Sequence, residues 1–203
     1  LISIPLLAAA LAGCSINPAP ESASPATPVA FAGAVSAADP RAQAAGEAML
    51  ARGGSATDAA IAVMLALTVV EPQSSGIGGG GFMVRGMPDG TVATFDGRET
   101  APAGATPEWF LDENGEVPPR SESVRSGLSV GVPGNIALAA KAHAAHGKLA
   151  WADLFEPAIR LARSGFEINP RLNGMLESAR DRSAHSAAAR SLYFDDRGDP
   201  RPV

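Results

Sequence analysis

Hydrophobic and polar positions change period along the chain, and each period predicts an element. Asp39-Pro40 opens the first, because Asp can accept from the free N–H groups of a helix start and Pro fits the first turn. The helix so predicted runs to about Arg52 and stops at Gly53-Gly54. A second begins between Ser55 and Thr57, with Asp58 in its first turn complementing the helix dipole. From Ala59 to Val70 only Thr68 is polar. A stretch of about a dozen residues that is apolar all round predicts a buried core helix, since a membrane span needs roughly twenty. Glu71-Pro72 ends it.

The run Gly76-Ile77-Gly78-Gly79-Gly80-Gly81 then leads into Phe82-Met83-Val84-Arg85. Met87-Pro88-Asp89-Gly90 supplies turn chemistry, and Thr91 to Phe95 returns as a second strand. Asp96 to Pro102 reads as a loop, followed by a short helix over Pro107 to Leu111 and a polar stretch through Ser126. Ser129 to Val132 reads as a strand. Pro133-Gly134-Asn135 turns into a helix that Gly147 ends after His146. Ala152 to Arg163 is amphipathic, with Leu154, Phe155, Ala158, Ile159 and Leu161 grouped on one side. A more polar helix is expected from Arg171 to about Arg190. The pattern as a whole is of the α+β class.

Composition changes this picture little. The 203 residues carry 16 Lys+Arg against 21 Asp+Glu, a net charge of −5 that opposes binding to nucleic acid or anionic lipid by charge. Aromatics are only 5 %, so the core must be built from Leu, Val, Ile and Ala. The single cysteine, Cys14, excludes an internal disulfide and a cysteine-based zinc site. Its surroundings are informative. Leu1 to Leu11 is an apolar run of about the length of a signal peptide's h-region, and Leu11-Ala12-Gly13-Cys14 resembles a bacterial lipobox, which implies a lipidated Cys14. An ordinary secretory signal with a chance cysteine is the alternative, and either implies export. The resulting division is a lipoprotein signal over 1–13 without its basic start, a Pro/Ala/Ser-rich tether over 14–33, and a folded part over 34–203. The first residue is Leu, and the last stretch reads as mid-loop, so a fragment of a longer chain is expected.

Several patterns offer chemistry. Gly76, Gly78 and Gly81 match the spacing of a dinucleotide fingerprint, but a helix precedes them and a strand follows, the reverse of what that motif needs. Gly127-Leu128-Ser129-Val130-Gly131 matches a nucleophile elbow, with Asp153 and His185 in an order that could complete a triad. No large sheet precedes it, and the small-residue turn is the simpler reading. His143 and His146 are spaced to share a helix face, yet no carboxylate nearby completes a metal set. Arg98 stands between Asp96 and Glu99 directly after a strand, so it reads either as an ion pair or as an anchor for a carboxylate.

The company of these segments favours the second. Gly53-Gly54-Ser55-Ala56-Thr57-Asp58-Ala59-Ala60-Ile61-Ala62, then Glu71-Pro72-Gln73-Ser74-Ser75 with the glycine run and Phe82-Met83, resemble the N-terminal part of gamma-glutamyltransferases. Asp96-Gly97-Arg98-Glu99-Thr100-Ala101-Pro102-Ala103, Gly131-Val132-Pro133-Gly134 and the stretch from Leu154 to Phe166 continue the likeness in order, so that it covers about Val35 to Asn169.

The resemblance implies part of an N-terminal-nucleophile hydrolase αββα sandwich, incomplete in this chain. It implies a proenzyme that cleaves itself, whose new N-terminal Thr attacks the gamma-glutamyl carbonyl of glutathione or a related amide. The partners implied are that substrate, the chain's own small subunit and a lipid anchor through Cys14; no metal, cofactor or nucleic acid is implied. By position, Arg98 holds the substrate's α-carboxylate, through the paired hydrogen bonds a guanidinium can offer. The glycine run reads as backbone packed where side chains would not fit, without a catalytic role. No Thr here is followed two residues later by His, the pattern of the family nucleophile, so no catalytic residue is expected in this chain and the chain alone is expected to be inactive. A cephalosporin-acylase-like amidase is the nearest rival within the fold. A lipid-anchored serine hydrolase using Ser129 and a lipid-anchored binding module are the rivals outside it.

Overall fold

The computed structural model describes residues 33–183 and 186–203. The signal, the tether and Cys14 therefore lie outside the described residues, as does His185. Helix α1 (Pro40–Ala51) starts as expected, with Asp39 accepting from the backbone N–H of Arg41 at 2.8 Å. Helix α2 (Ala56–Val70) opens on a capping box: Ser55 Oγ accepts from Asp58 N, and Asp58 Oδ2 accepts from Ser55 N at 2.7 Å. Asp58 is fully buried, and its Oδ2 also takes the N–H of Lys148 at 2.9 Å, stitching the start of α2 to the loop after α4 (Asn135–His146).

Small residues let α1 and α2 lie close. A Cβ on Gly46 would meet Val63 Cγ2 at 2.7 Å, and Ala42, Ala45 and Met49 pack into Ile61, Ala62, Leu65 and Ala66. Leu154 and Ala158 complete this core from the 3-10 turn Trp151–Phe155 and helix α5 (Glu156–Ser164). Burying side chains such as Leu65 and Leu154 contributes about 1.5–3 kcal/mol each. No helix among the described residues is long and apolar enough to cross a membrane.

Strands β1 (Gly81–Gly86) and β2 (Val92–Gly97) form an antiparallel hairpin in register from Gly81↔Gly97 to Gly86↔Val92. The turn needs Gly90 at φ +84, a left-handed conformation that glycine adopts without a Cβ clash. Met83 and Phe95 pair on the inner face, and Phe95 sets its ring edgewise to His146 of α4. On the outer face Phe82, Val84 and Val92 are more than 60 % exposed, and no described residue covers them.

A second cluster, of Ile168, Leu172, Leu176 and Phe194, joins α6 (Pro170–Ser178) to the segment after α8 (Ala187–Tyr193). Polar bonds tie it to the main core. Asn169 donates to Asp39 Oδ2 at 3.1 Å and to Glu71 Oε1 at 3.3 Å, while Arg171 Nη1 donates to Glu71 Oε2 at 2.6 Å. Both carboxylates are buried, and the Arg41 guanidinium beside Asp39 holds its carboxyl below the ordinary carboxylate range.

Four sequence expectations are corrected. Pro107 to Leu111 forms turns, because it lacks a run long enough to repay nucleation; the polar stretch instead holds α3 (Arg120–Arg125). Ser129 to Val132 is no strand: Gly127–Ser129 is a 3-10 turn, and only Val132 makes an isolated bridge, to Thr100. The helix expected from Arg171 to Arg190 breaks after Ser178, with Ala179 as its C-cap, and gives way to α7 (Arg180–Ser183) before α8 begins. The stretch from Ala152 likewise begins as a 3-10 turn, and Ile159 on its expected inner side is exposed.

Candidate active site

Arg98 stands where three stretches of backbone meet. It directly follows Gly97, the last residue of β2, and its N–H donates to Asp96 Oδ1 at 2.9 Å. A Cβ on Gly97 would lie 2.5 Å from Leu138 Cβ of α4, and one on Gly80 would lie 2.5 Å from Gly97 O and 2.7 Å from Glu99 N. Gly134, before α4, packs against Gly97 just as tightly, and a Cβ on Gly131 would lie 2.9 Å from Glu99 Cβ. Glycine is thus required where β2, the glycine run and the start of α4 converge, as the sequence suggested for the run. Gly76 and Gly78 have nothing within 4 Å of a Cβ and are free of that demand.

Asn135 locks the junction. Its Nδ2 donates to Gly76 O at 2.8 Å, and its backbone N–H and that of Gly134 both reach Gly79 O, at 3.0 and 3.1 Å. Sequence reasoning missed this residue; its place at the head of α4, after Pro133-Gly134, was the available signal.

The Arg98 side chain is 62 % exposed and touches Glu99 Oε2 through Nε at 3.3 Å. That oxygen is buried and has no hydrogen-bond partner among the described residues. An ion pair with one member this exposed is worth about 1 kcal/mol or less, so the guanidinium is free to accept another carboxylate. It lines a cavity of about 590 Å³ that Trp109, Phe110 and Leu128 also line. A larger cavity of about 690 Å³ is lined by Gly76 and by Gly79 to Gly81 of the glycine run. Glu99 borders both, but Arg98 only the smaller one.

The other candidates are not assembled. Ser129 lines the Arg98 cavity, but its hydroxyl lies 3.0 Å from Ser126 O and 3.2 Å from Val124 O, and it sits in a 3-10 turn rather than between strand and helix. Asp153 is paired with Arg52 instead. His143 bonds Leu149 O at 2.9 Å while His146 meets Phe95, so the two rings face different neighbours. The described residues contain no group of three His, Cys, Asp or Glu able to hold a metal ion. The glycine run does follow a helix and precede a strand, the order opposite to a dinucleotide site.

The helical core and two-stranded hairpin are part of the fold of N-terminal-nucleophile hydrolases, as the likeness to solved structures shows. The chain superposes on the gamma-glutamyltranspeptidase of Helicobacter pylori with a TM-score of 0.76 and 36 % identity, covering 83 % of this chain and 48 % of that one. A cephalosporin acylase from Bacillus halodurans follows at a TM-score of 0.59 and 32 % identity, over 76 % of this chain and 27 % of the other.

The sequence narrows the class. The Gamma-glutamyltranspeptidase family model matches residues 42–203, and the chain belongs to that family. It is 43 % identical over 159 residues to the glutathione hydrolase proenzyme of Bacillus subtilis, covering 77 % of this chain and 27 % of that protein. The chain thus spans about a quarter of the length of the curated relatives it matches.

Proposed function

We propose that this chain forms the substrate-carboxylate side of a gamma-glutamyl hydrolase or transferase acting on glutathione and related gamma-glutamyl amides. The observation that carries the reading is Arg98: an exposed guanidinium, fixed at its backbone by the Gly80–Gly97–Gly134 junction, opening on a cavity. There it pairs with the α-carboxylate of the gamma-glutamyl group through charge-assisted hydrogen bonds. A threonine outside these residues, freed by self-cleavage, supplies the nucleophile. Its hydroxyl oxygen bonds to the γ-carbonyl carbon as its proton passes to a base, here its own α-amine. The amide C–N bond breaks, the amine leaves with a proton, and water or an accepting amine then takes the acyl group. The chain's own small subunit is the partner in that scheme.

Arg98→Ala in the full-length gene product tests the reading. Loss of a charge-assisted pair is expected to raise KM for a gamma-glutamyl amide about ten- to hundredfold. The corresponding amide lacking the α-carboxylate should lose nothing. An unchanged KM for the first substrate overturns the assignment, and better turnover of a cephalosporin amide than of the gamma-glutamyl one would move the protein to the acylase reading.

Residues 1–13 are assigned as a lipoprotein signal and 14–33 as a tether, with Cys14 anchoring the folded part to a membrane facing the periplasm or cell exterior. The lipobox-like Leu11-Ala12-Gly13-Cys14 supports this. Cys14→Ser should move the protein from the membrane fraction to the soluble one, and an unaltered distribution refutes the anchor.

A further inference from the structure

The cavity at Arg98 has a second feature that the carboxylate anchor leaves unused. Trp109 is half-buried, and its indole N–H donates to Leu128 O at 2.8 Å, which leaves the ring face as its remaining means of contact. Phe110 beside it is 39 % exposed, and Pro102 and Leu128 add further apolar lining to the same cavity. The wall is held in place. Trp109 N donates to Thr106 O at 3.0 Å, and Val132 N donates to Thr100 O at 2.9 Å, closing the long loop that carries the wall at its root, beside Arg98.

We infer that Trp109 and Phe110 are specificity-determining residues that receive the amine portion of the amide substrate and favour aromatic over small alkyl amines. The inference rests on the reading of Arg98 just given. With its carboxylate on Arg98, a gamma-glutamyl group offers two methylenes and an ammonium, too little apolar surface to fill such a wall. The amine portion is the part of the substrate that can bring a ring. Ring contacts of this kind favour offset or edge-to-face packing, and a fixed indole gives up little rotamer freedom on binding.

The test uses the full-length gene product with L-gamma-glutamyl anilide and L-gamma-glutamyl methylamide. Trp109→Ala is expected to lower the ratio of kcat/KM for the anilide to that for the methylamide about three- to tenfold. Trp109→Phe should restore most of the ratio, and Phe110→Ala should lower it in the same direction. An unchanged ratio, including an equal loss on both amides, overturns the inference, because damage to the fold or to the ammonium's surroundings would strike both alike. Should Trp109→Ala fail to fold, Trp109→Phe and Phe110→Ala carry the same comparison. Arg98→Ala separates the two readings: it should raise KM for both amides. If it does not, the carboxylate assignment falls, whatever the ratio shows for the wall.

Discussion

Gly80→Ala is the sharpest probe of the junction behind Arg98. Ordinary Cβ contacts begin near 3.4 Å, whereas the added carbon would stand 2.5 Å from Gly97 O and 2.7 Å from Glu99 N. Those atoms would have to retreat by about 0.9 and 0.7 Å. Both belong to backbone, one on each side of Arg98, so no side-chain rotation relieves the clash. Overpacking of this kind costs about 1–3 kcal/mol, and the upper end is expected here. A displacement approaching 1 Å at a positioning element can cost about a hundredfold in catalysis. The assay pairs urea unfolding with KM and kcat for a gamma-glutamyl amide in the full-length gene product. Gly78→Ala is the control: nothing lies within 4 Å of its Cβ and its φ is not positive. It is expected to be neutral or to stabilise by about 0.4–1 kcal/mol through the unfolded chain. If Gly80→Ala unfolds with wild-type stability and keeps the wild-type KM, the close-packing account of the glycine run is wrong.

Other outcomes follow from the same contacts. Asp39→Ala removes a helix cap and one partner of a buried pair and should cost about 2–4 kcal/mol, read by urea unfolding. Because the folded state lowers the Asp39 pKa, its contribution is full above the ordinary carboxylate range near 4 and is lost as pH falls through the lower folded value. Stability of the wild type measured from pH 5 downward should therefore drop more steeply than that of Asp39→Asn. Ser129→Ala should leave kcat and KM within about twofold, since its hydroxyl meets only backbone carbonyls; abolished turnover would revive the serine-hydrolase reading. Leu65→Ala should lower stability by about 2–5 kcal/mol, checked by thermal unfolding.

The legible parts of the fold were those set by local chemistry. Asp39-Pro40 and Ser55 with Asp58 carry their caps within a few residues, and the turn at Asp89-Gly90 fixes its hairpin the same way. The failures lie where long-range contacts decide. Ser129 to Val132 has the composition of a strand, but pairing is available only to Val132, and the rest curls into a 3-10 turn under Trp109. Arg98 was singled out through its neighbours in sequence. Asn135 and the aromatic wall were not, because bonds such as Asn135 to Gly76 and Trp109 to Leu128 span many residues and leave no periodic trace. Asp58 was placed correctly in its first turn, while its hold on Lys148 could be seen only in three dimensions.

The outer face of the hairpin bears on how the protein behaves in the tube. Phe82, Val84 and Val92 stand side by side with no described residue over them, on a sheet of only two strands. Such a face, next to unpaired strand edges, invites a second molecule. The attraction is largely entropic near room temperature, so it strengthens on warming and weakens on cooling. Solutions of this chain by itself should turn cloudy on gentle heating, well short of unfolding, and clear again on ice. A Val84→Lys substitution should abolish the clouding while sparing the inward Met83–Phe95 pair.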